Sequence, residues 1–370
     1  MAPFVDDESE GAERAAAAQV VERVTAGISA WYGDGSRLAA TPSPPIANDW
    51  SFVFRIRILT GDDRLVPLLV KVPHWNGVRT LRQATRAGEQ PSTRREFEAL
   101  RAMAAAVSSS SDEGLVAVQP VAYLSDLNAI VVEELRARPL RDLIVRLGVG
   151  LGLEANRGRV AEAMERAGRW LRLFHGHAVG TTSGSLQSVG LVEELDELGA
   201  RLAEMVREPI EALDETRRLI AGVHKLAGRD IPITTLHGDC NLSNVLVTPR
   251  GAVALIDMNP VKGPALQDLA KLVVEPAVLA IQALTRGWFL RHGAIDRWES
   301  ALIRGYGVDE RDRQVLDVFV AVAILRKWAD VEASISAGAG SVVGMSRRWA
   351  ARLVWAHLRS ELHRVVDRAA

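Results

Sequence analysis

Residues 237–244 read HGDCNLSN, and soon afterwards the run AVALID ends at Asp257. Together these stretches place a histidine, asparagines and two aspartates at the edges of short apolar runs. Taken singly, an Asp or Asn at such an edge is an ordinary turn residue. Taken as a set, they suit magnesium-assisted phosphoryl transfer. Mg²⁺ takes hard oxygen donors, often one or two from protein and the rest from phosphates and water. Asn244 and Asp257 can supply those donors. Asp239 is a separate carboxylate that can accept the proton of an attacking hydroxyl. Beyond that, the protein must only position groups and neutralise charge. Cys240 follows Asp239, but the sequence places no histidine to activate it. It reads as a small, partly buried residue.

Elements must hold these groups. ITTLHGD ends a strand-like run with a turn at Gly238, NVLV (244–247) is β-prone, TPRG (248–251) is a turn, and AVALID (252–257) is a buried-type strand. Two strands joined by a tight turn put their outer ends on one side, which returns Asp257 toward Asp239 and Asn244. Lys71 is the second chemical signal. Only five lysines occur, Lys71, Lys225, Lys262, Lys271 and Lys327, in an arginine-rich chain. Lys71 interrupts PLLVKV, a strand expected to be otherwise buried, where a bare ammonium is costly. It needs an anion, and the following helix offers Glu96 and Glu98. The alternative is an edge-strand lysine pointing into solvent.

Elsewhere, residues 11–33 read as a helix with Val20, Val21, Val24 and Ile28 on one stripe. A Pro-rich connector (41–49) leads to SFVFRIRIL, where Phe52, Phe54, Ile56 and Ile58 alternate with polar positions, and to LVPLLVKVP, an antiparallel partner. A helix follows over 92–106 with Ser92 as N-cap, then two strands within 116–135. After Leu135 helices dominate, at 138–147, 158–177, 189–227, 264–291, 295–305, 310–335 and 344–367, around one β-rich island at 233–257. SISAGAGS (334–341) reads as a loop, and the acid-rich segment 192–215 as a solvated helix face. The expected class is α+β. Its domains are an N-terminal helical extension (1–45), a small β-rich N-lobe (46–135) and a large mainly helical C-lobe (136–370).

HGD-x-x-x-x-N, followed by strand, turn and a strand ending Ile-Asp, resembles the signature of the aminoglycoside phosphotransferase / choline kinase family. This is the small-molecule branch of the bilobal protein-kinase-like fold, and the resemblance runs from about residue 50 to 305. It implies ATP and Mg²⁺ as cofactors, Asp239 as catalytic base, Asn244 and Asp257 as metal ligands, and His237 as a loop-shaping residue. It favours Glu96 over Glu98 as the partner of Lys71, and it implies that backbone groups around Glu133–Leu135 meet the adenine edge. RWLRLFHGH (169–177) is similar to a family helix in which His175 packs under the HGD loop. GPALQDLAKL (263–272) is similar to the segment in which Asp268 anchors that loop by hydrogen bonds. The phosphate-loop stretch departs from the kinase pattern: ANDWSFVF (47–54) has no glycine, so Ser51 and nearby N–H groups would cap a phosphate. GVGLG (148–152) lacks the third glycine of a dinucleotide fingerprint and reads as a loop, and no GxxxxGK[ST] occurs.

Bulk properties bound the remaining classes. With 370 residues, 48% hydrophobic and 25% charged, the chain is long enough for two packed lobes. A net charge of −1 gives no broad attraction to nucleic acid or an anionic membrane. One cysteine excludes an intramolecular disulfide framework or a cysteine zinc cluster. No apolar run reaches the roughly 20 residues of a membrane span, and the acidic start lacks a secretory apolar region. A cytoplasmic protein is expected. The expected activity is ATP- and Mg-dependent transfer of a phosphoryl group to a hydroxyl of a small molecule, such as a sugar, an amino alcohol or an aminoglycoside-like antibiotic. Two alternatives are a kinase acting on protein and a nucleotide binder lacking turnover. The glycine-free loop and the short gap after Asp257 argue against the first. The joint presence of Lys71, Asp239, Asn244 and Asp257 argues against the second.

Overall fold

The computed structural model describes residues 7–75, 77–86, 88–147, 153–177, 180–206, 209–277, 279, 294–337, 359–360 and 362–368. Two compact units are present, one of residues 1–110 and 116–136, the other of 111–115 and 137–370. The predicted loop 148–152 and about two thirds of the predicted helix 344–367 lie outside the described residues.

The first unit contains α1 (Asp7–Tyr32), β1 (Arg37–Leu38), β2 (Ile46–Ala47), β3 (Ser51–Leu59), β4 (Leu65–Pro73), α2 (Leu81–Arg86), α3 (Pro91–Ser109), β5 (Pro120–Leu124) and β6 (Ala129–Glu133). Its sheet runs β1-β3-β4-β6-β5, with β2 also paired to β3. Alternation decides what each strand buries: Phe52, Phe54, Ile56 and Ile58 of β3 are buried, as are Val66, Leu68, Val70 and Val72 of β4. Val20, Val24 and Ile28 of α1 join that core. Each such side chain contributes on the order of 1.5–3 kcal/mol of transfer free energy. The N-terminal helical extension therefore packs into the first unit's core. Glu13 also accepts from the N–H groups of Leu81 (2.8 Å) and Arg82 (3.1 Å), which caps α2. α3 begins at Pro91 with Gln90 as its N-cap residue, so Ser92 does not cap it. Proline suits a first helical position because the N–H it lacks would have no partner there.

The second unit contains β7 (Arg138–Pro139), α4 (Leu140–Leu147), α5 (Leu153–His177), β8 (Thr182–Ser185), α6 (Leu191–Met205), α7 (Pro209–Lys225), β9 (Asp230–Leu236), β10 (Val245–Val247), β11 (Val253–Leu255), β12 (Val261–Pro264), α8 (Leu266–Val274) and two later helices, Ala294–Tyr306 and Glu310–Ala337. The predicted helix 189–227 is two helices, the second opening at Pro209. The expected hairpin is present as β10 and β11, extended by β7 into one small sheet, and a second small sheet, β12-β9-β8, lies beyond the sequence reading. α5 and Ala294–Tyr306 approach closely: a Cβ on Gly168 would lie 2.2 Å from the Leu302 carbonyl oxygen. Among the described residues, no helix is long and apolar enough to cross a membrane. The fold is mixed α+β, with an antiparallel sheet first and mostly helices after it.

Candidate active site

The HGD loop connects β9 to β10. Pairing of β10 with β11 sets Val245 opposite Leu255, and the N–H of Ile256 donates to the Asn244 carbonyl at 3.0 Å. That register returns the next residue, Asp257, to the side of Asn244. Asp257 has φ +58°, a left-handed conformation that costs a non-glycine residue on the order of 1–3 kcal/mol and concentrates at functional positions. Its carboxylate is exposed, as is that of Asp239, while Asn244 is buried.

Asp239 is held from both sides. Its Oδ1 accepts from Asn241 Nδ2 at 3.2 Å and its Oδ2 from Asn244 Nδ2 at 2.8 Å. Asn241 Oδ1 meanwhile accepts from the N–H groups of Ser243 (2.9 Å) and Asn244 (3.1 Å), so the side-chain amide that closes this turn also aims its nitrogen at Asp239.

The loop is anchored from below by α8. Asp268 is fully buried; its Oδ2 accepts from the His237 N–H at 2.5 Å and its Oδ1 from the Gly238 N–H at 3.1 Å. His175 Nε2 lies 3.1 Å from Asp268 Oδ2, and His175 Nδ1 lies 2.9 Å from the Tyr306 hydroxyl. Burial pushes the Asp268 carboxyl up, but its hydrogen bond with His175 and the surrounding positive groups outweigh burial and hold it below the usual carboxylate range. Burial pushes the His237 imidazole down, against the opposing pull of Asp268, Asp239 and Asp257, so the ring is held neutral. That ring meets Trp170 and Phe174 edge-on, at centroid distances of 6.3 and 6.4 Å. Burial raises the Cys240 thiol well above its ordinary range, which keeps it protonated and a poor nucleophile.

In the first unit, Lys71 Nζ lies 2.8 Å from Glu96 Oε1. β4 runs between β3 and β6, so Lys71 is on an interior strand and the edge-strand alternative falls. β4 is not buried throughout, as the sequence reading expected: Lys71 occupies its less buried face, opposite Val70 and Val72. Glu98 is bonded instead to Arg94 at 3.2 Å. Ser51 is buried at the start of β3, while neighbouring Trp50 is 63% exposed beside a cavity of about 350 Å³ that Asn48, His74 and Trp75 help to line. The Glu133 carboxylate accepts from the Tyr32 hydroxyl at 2.9 Å. Its N–H donates to the Gln119 carbonyl at 2.9 Å, and the Glu134 N–H to the Pro67 carbonyl at 2.8 Å. Leu135 follows them, half-buried.

The donor set bears on the metal. Among the described residues, no three His, Cys, Asp or Glu side chains form a metal-binding group. Asn244 and Asp257 are hard oxygen donors and too few to cage an ion alone. They fit Mg²⁺, which completes its shell with phosphate and water, and do not fit a structural zinc.

Three residues escaped the sequence reading: Asn241, Lys271 and Tyr306. Asn241 stood inside the quoted stretch, and Lys271 was one of the scarce lysines. Tyr306 carried no signal, because only folding brings it to His175.

A family model described as a phosphotransferase enzyme family matches residues 44–319. No curated protein sequence matches the chain. Among solved structures, a glucosamine kinase in complex with glucosamine, ADP and inorganic phosphate is similar over 90% of this chain and 83% of its own, at 15% identity and a TM-score of 0.57. A choline/ethanolamine kinase family protein from Mesorhizobium loti is similar over 94% of this chain and 98% of its own, at 17% identity and a TM-score of 0.54. An amicoumacin kinase in complex with AMP-PNP, Ca²⁺ and Ami is similar over 92% of this chain and 94% of its own, at 12% identity and a TM-score of 0.50. At these identities the likeness establishes a shared fold.

Proposed function

Because this chain belongs to the phosphotransferase enzyme family, we propose that it transfers the terminal phosphoryl group of ATP to a hydroxyl of a small molecule, with Asp239 as base. The observation that carries the reading is the pair of hydrogen bonds donated by the side-chain amides of Asn241 and Asn244 to an exposed Asp239 carboxylate, beside a strand register that returns Asp257 to the side of Asn244.

Asp239 accepts the hydroxyl proton as the acceptor oxygen bonds to the γ-phosphorus and the bond from that phosphorus to the bridging oxygen of ADP breaks. Magnesium, when bound, neutralises the charge that builds on the phosphate oxygens; Asn244 and Asp257 are the residues that would hold it. Lys71, oriented by Glu96, supplies a cation for the nucleotide phosphates. The N–H groups of Glu133 and Glu134 are spent on backbone carbonyls, so the adenine edge would be met by Leu135. Ser51, being buried, would act through the backbone of the adjoining turn. A small acceptor is favoured by the chain after Asp257: β12 pairs directly with β9 and leads into α8, with no long segment on which a protein substrate could dock.

The test is ADP release from magnesium-ATP across sugars, amino alcohols and aminoglycosides, starting with glucosamine, choline and ethanolamine. Asp239→Asn is expected to lower kcat by at least about 10²-fold with Mg-ATP affinity retained. Asp257→Ala is expected to abolish the magnesium-dependent part of ATP binding. Turnover unchanged in the first variant sinks the base assignment, and unchanged magnesium dependence in the second sinks the metal assignment.

A further inference from the structure

We infer that Lys271 is a positioning residue for Asp239, acting through the Gly238–Asp239 peptide group; this rests on the reading of Asp239 as the base. Lys271 Nζ donates to the Gly238 carbonyl at 2.6 Å. A peptide group is planar, so fixing that oxygen also fixes the nitrogen and Cα of Asp239. The preceding peptide group is fixed as well, because the Gly238 N–H donates to Asp268 Oδ1 at 3.1 Å. Asp268 and Lys271 stand three residues apart on α8, on one face of the helix. One helical turn thus grips a single glycine by its donor and its acceptor.

The glycine permits the grip. Gly238 has φ +83°, and a Cβ there would lie 2.0 Å from the Asn259 carbonyl oxygen. No other residue can turn both its peptide groups toward α8 at this point. On the far side, the Asp239 carbonyl accepts from Asn244 Nδ2 at 2.9 Å. Both peptide groups flanking Asp239 are therefore pinned by side chains, and the carboxylate itself is pinned by Asn241 and Asn244. Placement to within a fraction of an ångström is what proton acceptance from an in-line nucleophile requires.

The residue type is informative too. Nearly every basic residue in this chain is arginine, yet a lysine stands here. A compact ammonium can place one N–H on one carbonyl, whereas a forked guanidinium is shaped for two acceptors. Lys271 also balances the buried Asp268 carboxylate beside it, which explains a charged donor in a partly buried place.

The test uses the whole 370-residue chain and reads ADP release from magnesium-ATP with water as the acceptor, so it does not wait on the natural acceptor. Lys271→Met is expected to lower kcat about tenfold or more, with the KM for Mg-ATP within about twofold, assayed well below a Tm that falls because the buried Asp268 carboxylate loses a balancing charge. A kcat within twofold of wild type overturns the inference, and so does a loss in which KM rises in proportion. Should the methionine variant not fold, Lys271→Arg decides: a longer, forked donor shifts the Gly238 carbonyl, so kcat falls about threefold or more at unchanged KM. Wild-type kcat in that variant overturns the inference. Asp239→Asn is run alongside. If it retains wild-type turnover, the base reading falls and takes this inference with it. If it loses turnover while Lys271→Met does not, this inference alone falls.

Discussion

The two units each hold a carboxylate beside a basic side chain, built in opposite ways. In the first unit the Lys71 and Glu96 side chains pair at 2.8 Å but keep 23% and 10% of their surface exposed. In the second, Asp268 is wholly buried and spends its oxygens on two backbone N–H groups and a histidine. The first arrangement orients a charge that can still meet something else. The second holds a loop in one shape. A pair of opposite charges that keeps part of its surface in reach of solvent is cheaper to disturb than a wholly buried carboxylate that serves as the acceptor for two backbone N–H groups. Stability and activity should therefore separate between the units.

The sharpest way to break this contrast is Asp268→Ala. It leaves the His237 and Gly238 N–H groups without their acceptor and is expected to cost about 3–5 kcal/mol, read as a fall in Tm or in denaturation midpoint. A loss below about 1 kcal/mol would mean that the loop is not held by this anchor. Next comes Gly238→Ala, which meets both a left-handed backbone and the Asn259 carbonyl; about 2–3 kcal/mol is expected from chemical denaturation. Wild-type stability there would show that the loop can move aside.

Glu96→Gln should behave in the opposite manner. It keeps size and an oxygen acceptor for Lys71 while removing charge, so a stability change smaller than that of either loop variant, about 1–2 kcal/mol, is expected, with a clear rise in the KM for Mg-ATP. A large Tm loss with normal kinetics would make the pair a structural brace. The smallest effect is in pH. His237 has its folded pKa depressed, while an unfolded histidine titrates near 6.5. The unfolded chain then binds the proton first, so stability falls as pH drops below about 6.5. The slope is at most about 1.4 kcal/mol per pH unit. His237→Gln should lose that part of the slope between pH 7.5 and 5.5, and an identical slope in both proteins would refute the assignment.

Strand alternation in SFVFRIRIL and the turn TPRG made the hairpins legible, because each depends on neighbours within a few residues. β8 and β12 were not legible. TSGS and VKGP carry no apolar alternation, and both are strands only because β9 lies between them to supply backbone partners. The pairing of β10 with β11 followed from chain order, so the return of the chain at Asp257 to the side of Asn244 could be read in advance. The preference for Glu96 over Glu98 came from the family resemblance.

By itself, the sequence determined the chemistry on offer: two carboxylates and an asparagine around one short hairpin, a lysine in an apolar strand, and a glycine at the bend. Only tertiary structure decided what steadies them. Tyr306 reaches His175 across 131 positions and Lys271 reaches Gly238 across 33. Local periodicity carries no information about such distances, because those contacts are set by how helices pack and not by what any stretch prefers alone.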